Sequence, residues 1–313
     1  MAEPELPGGI RQVTRPLPTR PGHVHAYLLP GEDGWTIVDT GIGLPDAKES
    51  WRAELERAGG QVARIFVTHF HPDHVGAAAD LHELTGAPVY QGTLDYAQCE
   101  LVWGNPAWPE RLIDWFRLHG TPDDVTEELV GQSSVYRPYI RYQPDPILVR
   151  AGEWLDGWEL VAAAGHADGQ LCLLKDGVLL AADHVLERIS PTVGLWPASR
   201  PDPLGDYLEA LDRTVKIEPR IALPGHGELI ADPAGRAREL QEHHRIRLQE
   251  AVAAFGPKPL SGYELSLVLW GDVLKPAARR FAVAESLSHA ERLVRVGAAV
   301  RHEVDGAVSY TAA

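Results

Sequence analysis

Short apolar runs broken by polar, glycine- and proline-rich stretches organise most of this 313-residue chain. His25–Leu29 and Trp35–Val38 read as two strands joined by the turn Gly31-Glu32-Asp33-Gly34, because brief apolar runs between turn formers favour strand. The second strand ends in Asp39-Thr40-Gly41. Residues 46–58 space their apolar positions as an amphipathic helix closed by Gly59-Gly60. The run Arg64–Val67 reads as a buried strand, followed by a helix over 73–85 that stops at Gly86 and a short strand over 87–91.

Past residue 93 the periodicity weakens. The stretch 93–146 carries Trp103, Trp108 and Trp115 with Tyr96, Tyr136, Tyr139 and Tyr142. It reads as a partly helical insert, either packed on its own aromatic residues or walling a substrate site. Regular structure resumes at 147. Three apolar strands follow, each ending in a side chain that can ligate metal: Glu159–Ala164 runs to His166, Gly177–Ala182 to Asp183, and Arg220–Leu223 to His226. A long polar helix over 233–255 stops at Gly256-Pro257. The remaining 256–313 predicts helices near 261–270, 275–282 and 284–296, then a hairpin turning on Asp305-Gly306. Three helices and a hairpin are a winged-helix arrangement, so the expected division is a body of 1–255 and a small domain of 256–313.

The densest chemistry lies in Thr68-His69-Phe70-His71-Pro72-Asp73-His74. Three imidazoles and a carboxylate suit a borderline dication such as Zn²⁺, with Fe or Mn as rivals. His69 and His71 leave their strand on one side because side chains alternate with period two. Pro72 suits the first position of a helix, which puts Asp73 and His74 on its first turn. With Asp39, His166, Asp183 and His226, five strands end in Asp or His. Strand ends gathered at one sheet edge would form a rigid platform for a site.

Charge and composition narrow the partners. The net charge of −15 opposes non-specific nucleic-acid binding, which relies on neutralising phosphates. Residues 256–313 balance seven Lys and Arg against six Asp and Glu. The expected third helix there, with Glu285, Glu291, Arg292 and Arg295, lacks the basic face of a DNA reader. No run of about 18 apolar residues predicts a membrane span. The start Met1-Ala2-Glu3-Pro4-Glu5-Leu6-Pro7 has neither the basic nor the apolar part of a secretory signal. Cys99 and Cys172 form no pair motif and are expected as buried thiols in a reducing cytoplasm.

Taken together, Val38-Asp39-Thr40-Gly41, the His69–His74 motif, Gly165-His166, Ala182-Asp183 and Pro224-Gly225-His226-Gly227 resemble the metallo-β-lactamase superfamily over about residues 20–235. The full ligand set is similar to its glyoxalase II, lactonase and phosphodiesterase branches. The tail resembles the winged helix attached to some members. The resemblance implies an α+β fold, a four-layer αββα sandwich, with two divalent metal ions at one edge. His69, His71 and His166 would hold the first and Asp73, His74 and His226 the second. Asp183 would bridge them, and Asp39 would orient the ligand loop. One departure stands out: the family usually follows the histidine of its second motif with Ser/Thr-Pro-Gly-His, where this chain reads Ala167-Asp168-Gly169-Gln170. No cysteine stands near Asp183, which disfavours antibiotic hydrolysis. His71 stands where flavin-linked di-iron members have Glu, which disfavours redox chemistry.

The function expected is a binuclear hydrolase in which a metal-bridging hydroxide attacks a small ester, thioester or lactone carbonyl. Asp73 would orient the nucleophile or relay its proton. Tyr136, Tyr139 or Tyr142 would donate to the developing oxyanion. A phosphodiesterase or ribonuclease with the same centre is the alternative, and a winged-helix binding module on an enzyme body the second. The tail would otherwise pack on the body or form a dimer surface, with Leu287, Ala290, Leu293 and Val294 in its core. His23, His25, His184, His243 and His244 are read as structural or surface residues.

Overall fold

The computed structural model describes residues 6–313, apart from the side chains of residues 132–134. The reading of Met1–Glu5 therefore lies outside the described residues. In chain order the body begins with strands β1 (Arg11–Pro16), β2 (His23–Gly31) and β3 (Gly34–Val38), then helix α1 (Ala47–Ala58) and β4 (Val62–Val67). Helices α2 (Pro72–Val75) and α3 (Ala78–Thr85) lead to β5 (Val89–Gly92). The insert contributes α4 (Thr93–Cys99), a π-helical turn, α5 (Trp108–Leu118) and α6 (Asp123–Ser134) before β6 (Ile147–Val149). Strands β1 to β6 form one sheet in that order, antiparallel across β1-β2-β3 and parallel from β3 to β6.

A second sheet is made of β7 (Trp154–Leu155), β8 (Trp158–Ala162), β9 (Leu171–Lys175), β10 (Val178–Ala182) and β11 (Ile221–Pro224), in the order β11-β10-β9-β8-β7. Only its β10–β11 pair is parallel, and α7 (Pro203–Ile217) makes that crossover. Period-two alternation decides the layers. Tyr27, Leu29, Val38 and Phe66 meet Trp158, Leu160, Leu173 and Leu180 between the sheets. Leu28, Ile37, Ile65 and Val67 face outward onto Trp51 of α1 and Leu81 of α3. On the far side Cys172, Leu179 and Ala222 face Tyr207 and Leu211 of α7 and Leu240 of α8 (Pro233–Ala254). The result is a mixed sandwich of two sheets clad by helices, as the family resemblance implies.

Three differences have local causes. The helix expected over 73–85 breaks at Gly76. Ala77 N–H donates to Gly41 O at 3.1 Å and Gly76 O accepts from Arg141 N–H at 2.7 Å, so the backbone there serves neighbouring loops. Strand β1 leaves little trace in the apolar pattern because an edge strand buries few side chains: only Val13 and Arg15 of its six residues are buried. The tail differs most. It contains β12 (Leu260–Ser261), α9 (Gly262–Trp270), one continuous α10 (Pro276–Arg295), β13 (Ala299–Val304) and β14 (Ala307–Ala312). Two helices replace the three expected for 256–313, while the hairpin turning on Asp305-Gly306 is present as β13–β14 and gains β12 in a sheet ordered β12-β14-β13. The interval 277–295 lacks Gly and Pro, and its Ala-rich middle has no helix stop.

Leu287, Ala290 and Leu293 are buried in one cluster with Trp115, Phe116 and Leu129 of the insert, and Val294 packs against it. The tail therefore packs on the body through the insert. Cys99 and Cys172 are free and buried. No helix among the described residues is long and apolar enough to cross a membrane.

Buried titratable groups predict a stability maximum in the chelator-treated protein. Burial pulls His119 and His289 down to about 4, and His184 and His244 to about 3. Burial pushes Asp95 and Glu285 up to about 8. Between pH 8 and 6.5 the folded chain keeps two protons that the unfolded chain releases, so stability rises as pH falls. Below about 6.5 the four histidines protonate first in the unfolded chain and outnumber the two carboxyls, so stability then drops. Each unmatched proton contributes a slope on the order of 1.4 kcal/mol per pH unit. Denaturant midpoints should peak near pH 6.5; a midpoint that rises steadily from pH 6.5 to 4.5 would contradict this assignment.

Candidate metal centre

The strand ends deliver all seven expected side chains to one edge. β3 ends at Asp39. β4 leads into His69 and His71, with Asp73 and His74 on α2. β8, β10 and β11 lead to His166, Asp183 and His226. Metal-capable atoms of His69, His71 and His166 lie within 4.8 Å of one another. Those of His69, His74 and Asp183 form a second such group, and those of Asp73, His74 and His226 a third. Two backbone features aim these groups. Ala182 has a φ of 43°, seldom adopted by an L-residue, and the β10–β11 register shifts beside it, which turns Asp183 out of the strand. Gly225 leaves room for the ligands: a Cβ there would come within 2.4 Å of Asp183 Oδ1 and 2.9 Å of His74 Cε1.

Four of the five imidazoles are oriented from behind. His166 Nδ1–H donates to Thr192 O at 2.8 Å, and His226 Nδ1–H to His23 O at 2.7 Å. His74 Nδ1–H donates to Asp39 Oδ2 at 2.7 Å. Thr68 Oγ1–H donates to that same oxygen at 2.8 Å and so accepts from His69 Nδ1–H at 3.0 Å. Asp39 also accepts from Thr68 N–H at 2.8 Å. The inner nitrogens then converge. His71 Nδ1 lies 3.1 Å from His69 Nε2 and 2.8 Å from His166 Nε2. Asp183 Oδ2 is 3.5 Å from His166 Nε2 and 3.3 Å from His226 Nε2, which is also 3.3 Å from Asp73 Oδ2.

Electrostatics divide the cluster in two. Burial holds the His69, His71 and His166 imidazoles neutral, His71 at about 3, and neighbouring histidines add to the effect. Burial would also neutralise His74 and His226, but nearby carboxylates outweigh it. Asp39 and Asp183 raise His74 well above its ordinary value, and Asp183 and Asp73 raise His226 to about 10. Burial likewise opposes ionisation of the two carboxyls. The His74 and His226 imidazoles nevertheless bring Asp73 down to about 2, and the same pair holds Asp183 well below the usual range.

These donors fit divalent cations. His69 and His166 present lone pairs to His71 Nδ1, where one proton can satisfy only one of the two contacts; a cation satisfies all three nitrogens. His74 Nε2 and Asp183 Oδ1 are buried, 3.5 Å apart, and neither has a hydrogen-bond partner. Five imidazoles, four with their outer nitrogens engaged, facing ionised carboxylates are the donor set of a transition-metal site.

The three tyrosines stand apart. Tyr142 Oη–H donates to Glu100 Oε1 at 2.7 Å. Tyr139 O accepts from Gly43 N–H at 2.9 Å, and Tyr136 O from Tyr139 N–H at 2.9 Å. No hydrogen bond or ring contact joins any of them to the cluster among the described residues. Trp103 comes nearer: its Nε1–H donates to Phe70 O at 2.8 Å, inside the ligand loop.

Sequence reasoning missed Asp95, which accepts from Phe70 N–H at 2.9 Å and from Gln91 Nε2–H at 2.6 Å. It braces the ligand loop opposite Asp39, and only its place at the start of a helix after a strand could have flagged it. Within Ala167-Asp168-Gly169-Gln170 the family glycine is kept, and a Cβ on Gly169 would come within 2.2 Å of Asp95 N. Asp168, which stands where the family has Pro, accepts from Arg200 N–H at 2.9 Å through Oδ2. His23 and His25 are structural, as expected. Gly227 N–H donates to His23 Nε2 at 3.1 Å and His25 Nε2–H donates to Gly227 O at 2.9 Å, which fixes the His226 loop. Shallow depressions of about 310 and 320 Å³ lie at the opposite ends of β4 and β5, beside Gln61 and Thr85, and include no cluster residue.

Comparison with known proteins agrees with this geometry. The profile of the Metallo-beta-lactamase superfamily matches residues 19–226, and that of the Metallo-beta-lactamase-like, C-terminal domain matches residues 248–313. A metallo-beta-lactamase family protein from Thermus thermophilus is 34% identical with a TM-score of 0.84, over 98% of this chain and 99% of its own. A beta-lactamase domain protein from Burkholderia ambifaria is 31% identical with a TM-score of 0.86, over 98% and 93%. A probable metallo-hydrolase, YqjP of Bacillus subtilis, is 26% identical over 82% of this chain and 84% of its own.

Proposed function

The chain belongs to the metallo-β-lactamase superfamily, and on that premise we propose that it is a binuclear metal-dependent hydrolase of small esters, thioesters or lactones. The observation that carries this reading is the buried His74 Nε2–Asp183 Oδ1 pair without partners, set among five further donors at one sheet edge. His69, His71 and His166 would hold one cation and Asp73, His74 and His226 the other, with Asp183 shared between them. Zinc suits these donors best, and Fe or Mn suits them next. When bound, such a pair of cations acidifies water and polarises a carbonyl oxygen.

The chain's own residues do the positioning. The Thr192 and His23 carbonyls and the Asp39 carboxylate each hold an outer nitrogen proton and aim the inner nitrogen inward. Asp73, kept ionised near neutral pH, accepts a hydrogen bond from the attacking water and can take its proton. Its side chain is 22% exposed against 9% for Asp183, so Asp73 meets incoming solvent first. Phe70 lies 4.7 Å from His71 and 6.5 Å from Trp103, ring to ring, an apolar wall that suits a small organic acyl group.

Metal analysis of the purified protein, followed by a panel of thioesters, lactones, aryl esters and bis-aryl phosphodiesters, tests the reading. Two equivalents of metal and a preference for carbonyl substrates are expected. Hydrolysis confined to phosphodiesters would replace the reading with a phosphodiesterase, and a fully metallated protein inert to every substrate would overturn it.

A further inference from the structure

Five arginines lie in the tail, and four of them have partners. Arg279 donates to Ser266 O at 2.9 Å and to Ser266 Oγ at 3.0 Å. Arg292 pairs with Asp202 at 2.8 Å, Arg295 donates to Pro201 O at 3.4 Å, and Arg301 pairs with Glu303 at 2.9 Å and Glu291 at 3.2 Å. Arg280 makes no hydrogen bond or ion pair among the described residues, and its Nε is buried without a partner. Its guanidinium lies over Phe281 at 4.5 Å and over Trp196 at 5.8 Å. Burial alone draws it down to about 10, with no carboxylate opposing the shift. A guanidinium remains charged at neutral pH, and two aromatic faces return only part of the cost of desolvating it.

Its position gives that unpaired charge a use. Trp196 lies four residues from Thr192, whose carbonyl holds His166. Four residues span at most about 14 Å, so Trp196 stands on the loop that leaves the cluster at Thr192. The intervening segment is tied to α10, because Leu195 N–H donates to Ala284 O at 2.9 Å. Trp196 also stacks on Trp115 of the insert at 5.7 Å. Insert, loop and tail thus meet at Trp196, over which Arg280 lies.

We infer that Arg280 recognises an anionic group, a carboxylate or a phosphate, on the substrate whose acyl group sits at the metal cluster. This rests on the hydrolase reading above and narrows it to anionic esters or thioesters. The guanidinium supplies a fork of donors for two anionic oxygens, and Trp196 and Phe281 flank the apolar part next to them. Arg280 is a specificity residue rather than a catalytic one.

Matched probes test this: 4-nitrophenyl acetate against mono-4-nitrophenyl glutarate, and S-acetyl-N-acetylcysteamine against the acetyl thioester of 2-mercaptoethyl phosphate. In Arg280→Gln the ratio of kcat/KM for the anionic probe to that for its neutral partner should fall ten- to hundredfold for the carboxylate pair, the phosphate pair or both, which tells the two anions apart. Arg280→Lys keeps the charge without the fork and should fall between wild type and Gln. A structural role would lower both members of a pair together and leave the ratio unchanged, which would overturn the inference. Calorimetric titration of the metal-loaded protein with glutarate and with inorganic phosphate separates the two readings. Binding lost in the Gln variant, with no probe hydrolysed, sinks the hydrolase reading and keeps Arg280 as an anion site. Binding that does not depend on Arg280, or no binding by wild type, sinks the anion site. Should Arg280→Gln fail to fold by circular dichroism, the Lys variant carries the same comparison.

Discussion

His71→Ala should lose bound metal and at least about 10²-fold in kcat/KM, since removing even an outer partner of a ligand costs 10–100-fold. His71 Nδ1 faces both His69 Nε2 and His166 Nε2, so its loss leaves one metal position with two nitrogens. The fold should survive. Burial keeps this imidazole neutral, with its pKa down at about 3, and removing it relieves crowded lone pairs in the metal-free chain. The expected result is an intact melting transition with metal content and activity both gone. A variant that kept full metal and full activity would end the reading of the cluster as the catalytic centre.

Asp39→Ala should harm stability as well as metal binding. Asp39 accepts from Thr68 N–H, Thr68 Oγ1–H and His74 Nδ1–H at 2.7–2.8 Å. All of these groups are buried. Truncation leaves them without an acceptor, which costs on the order of 3–5 kcal/mol for a buried charged network. The backbone adds to the penalty, because Asp39 sits at φ 61°, where Asp is tolerated better than Ala. With its orienting acceptor gone, His74 should bind metal about 10–100-fold more weakly. Asp39→Asn keeps one oxygen and the shape, so it should fall between the two. Denaturant titration of chelator-treated protein and competition with a metal indicator read the two effects separately. Unchanged stability in the Ala variant would show that the Thr68 and His74 donors find other partners.

Much of this site is legible in the sequence because its spacing is local. His69 and His71 are two apart on a strand exit, and Asp73 and His74 follow a helix-starting proline, so one segment fixes four directions. His166, Asp183 and His226 are readable for a related reason: each follows an apolar run that must be a buried strand. β8, β10 and β11 run in the same direction, β8 and β10 each antiparallel to β9 and β10 parallel to β11, so their ends share one edge. The insert and tail are harder. The tail's small and apolar residues fit either one long helix or two short ones, and packing of α10 against the insert selects one. The tyrosines at 136, 139 and 142 have the chemistry to meet an oxyanion. Where a side chain points in an irregular loop depends on what the loop packs against, and Glu100 takes Tyr142.

What the sequence alone determined is the run of strands and the metal-capable side chains at their ends, because these follow from short-range periodicity and residue chemistry; the family and its sandwich came with the resemblance those motifs carry. Only the tertiary structure decided which outer groups orient those side chains. Asp95, Thr192 and His23 reach the cluster through contacts up to 203 residues apart in sequence, for which no local pattern exists. The same applies to Arg280. Its charge is visible in the sequence, but its lack of a partner is a property of everything that folds around it.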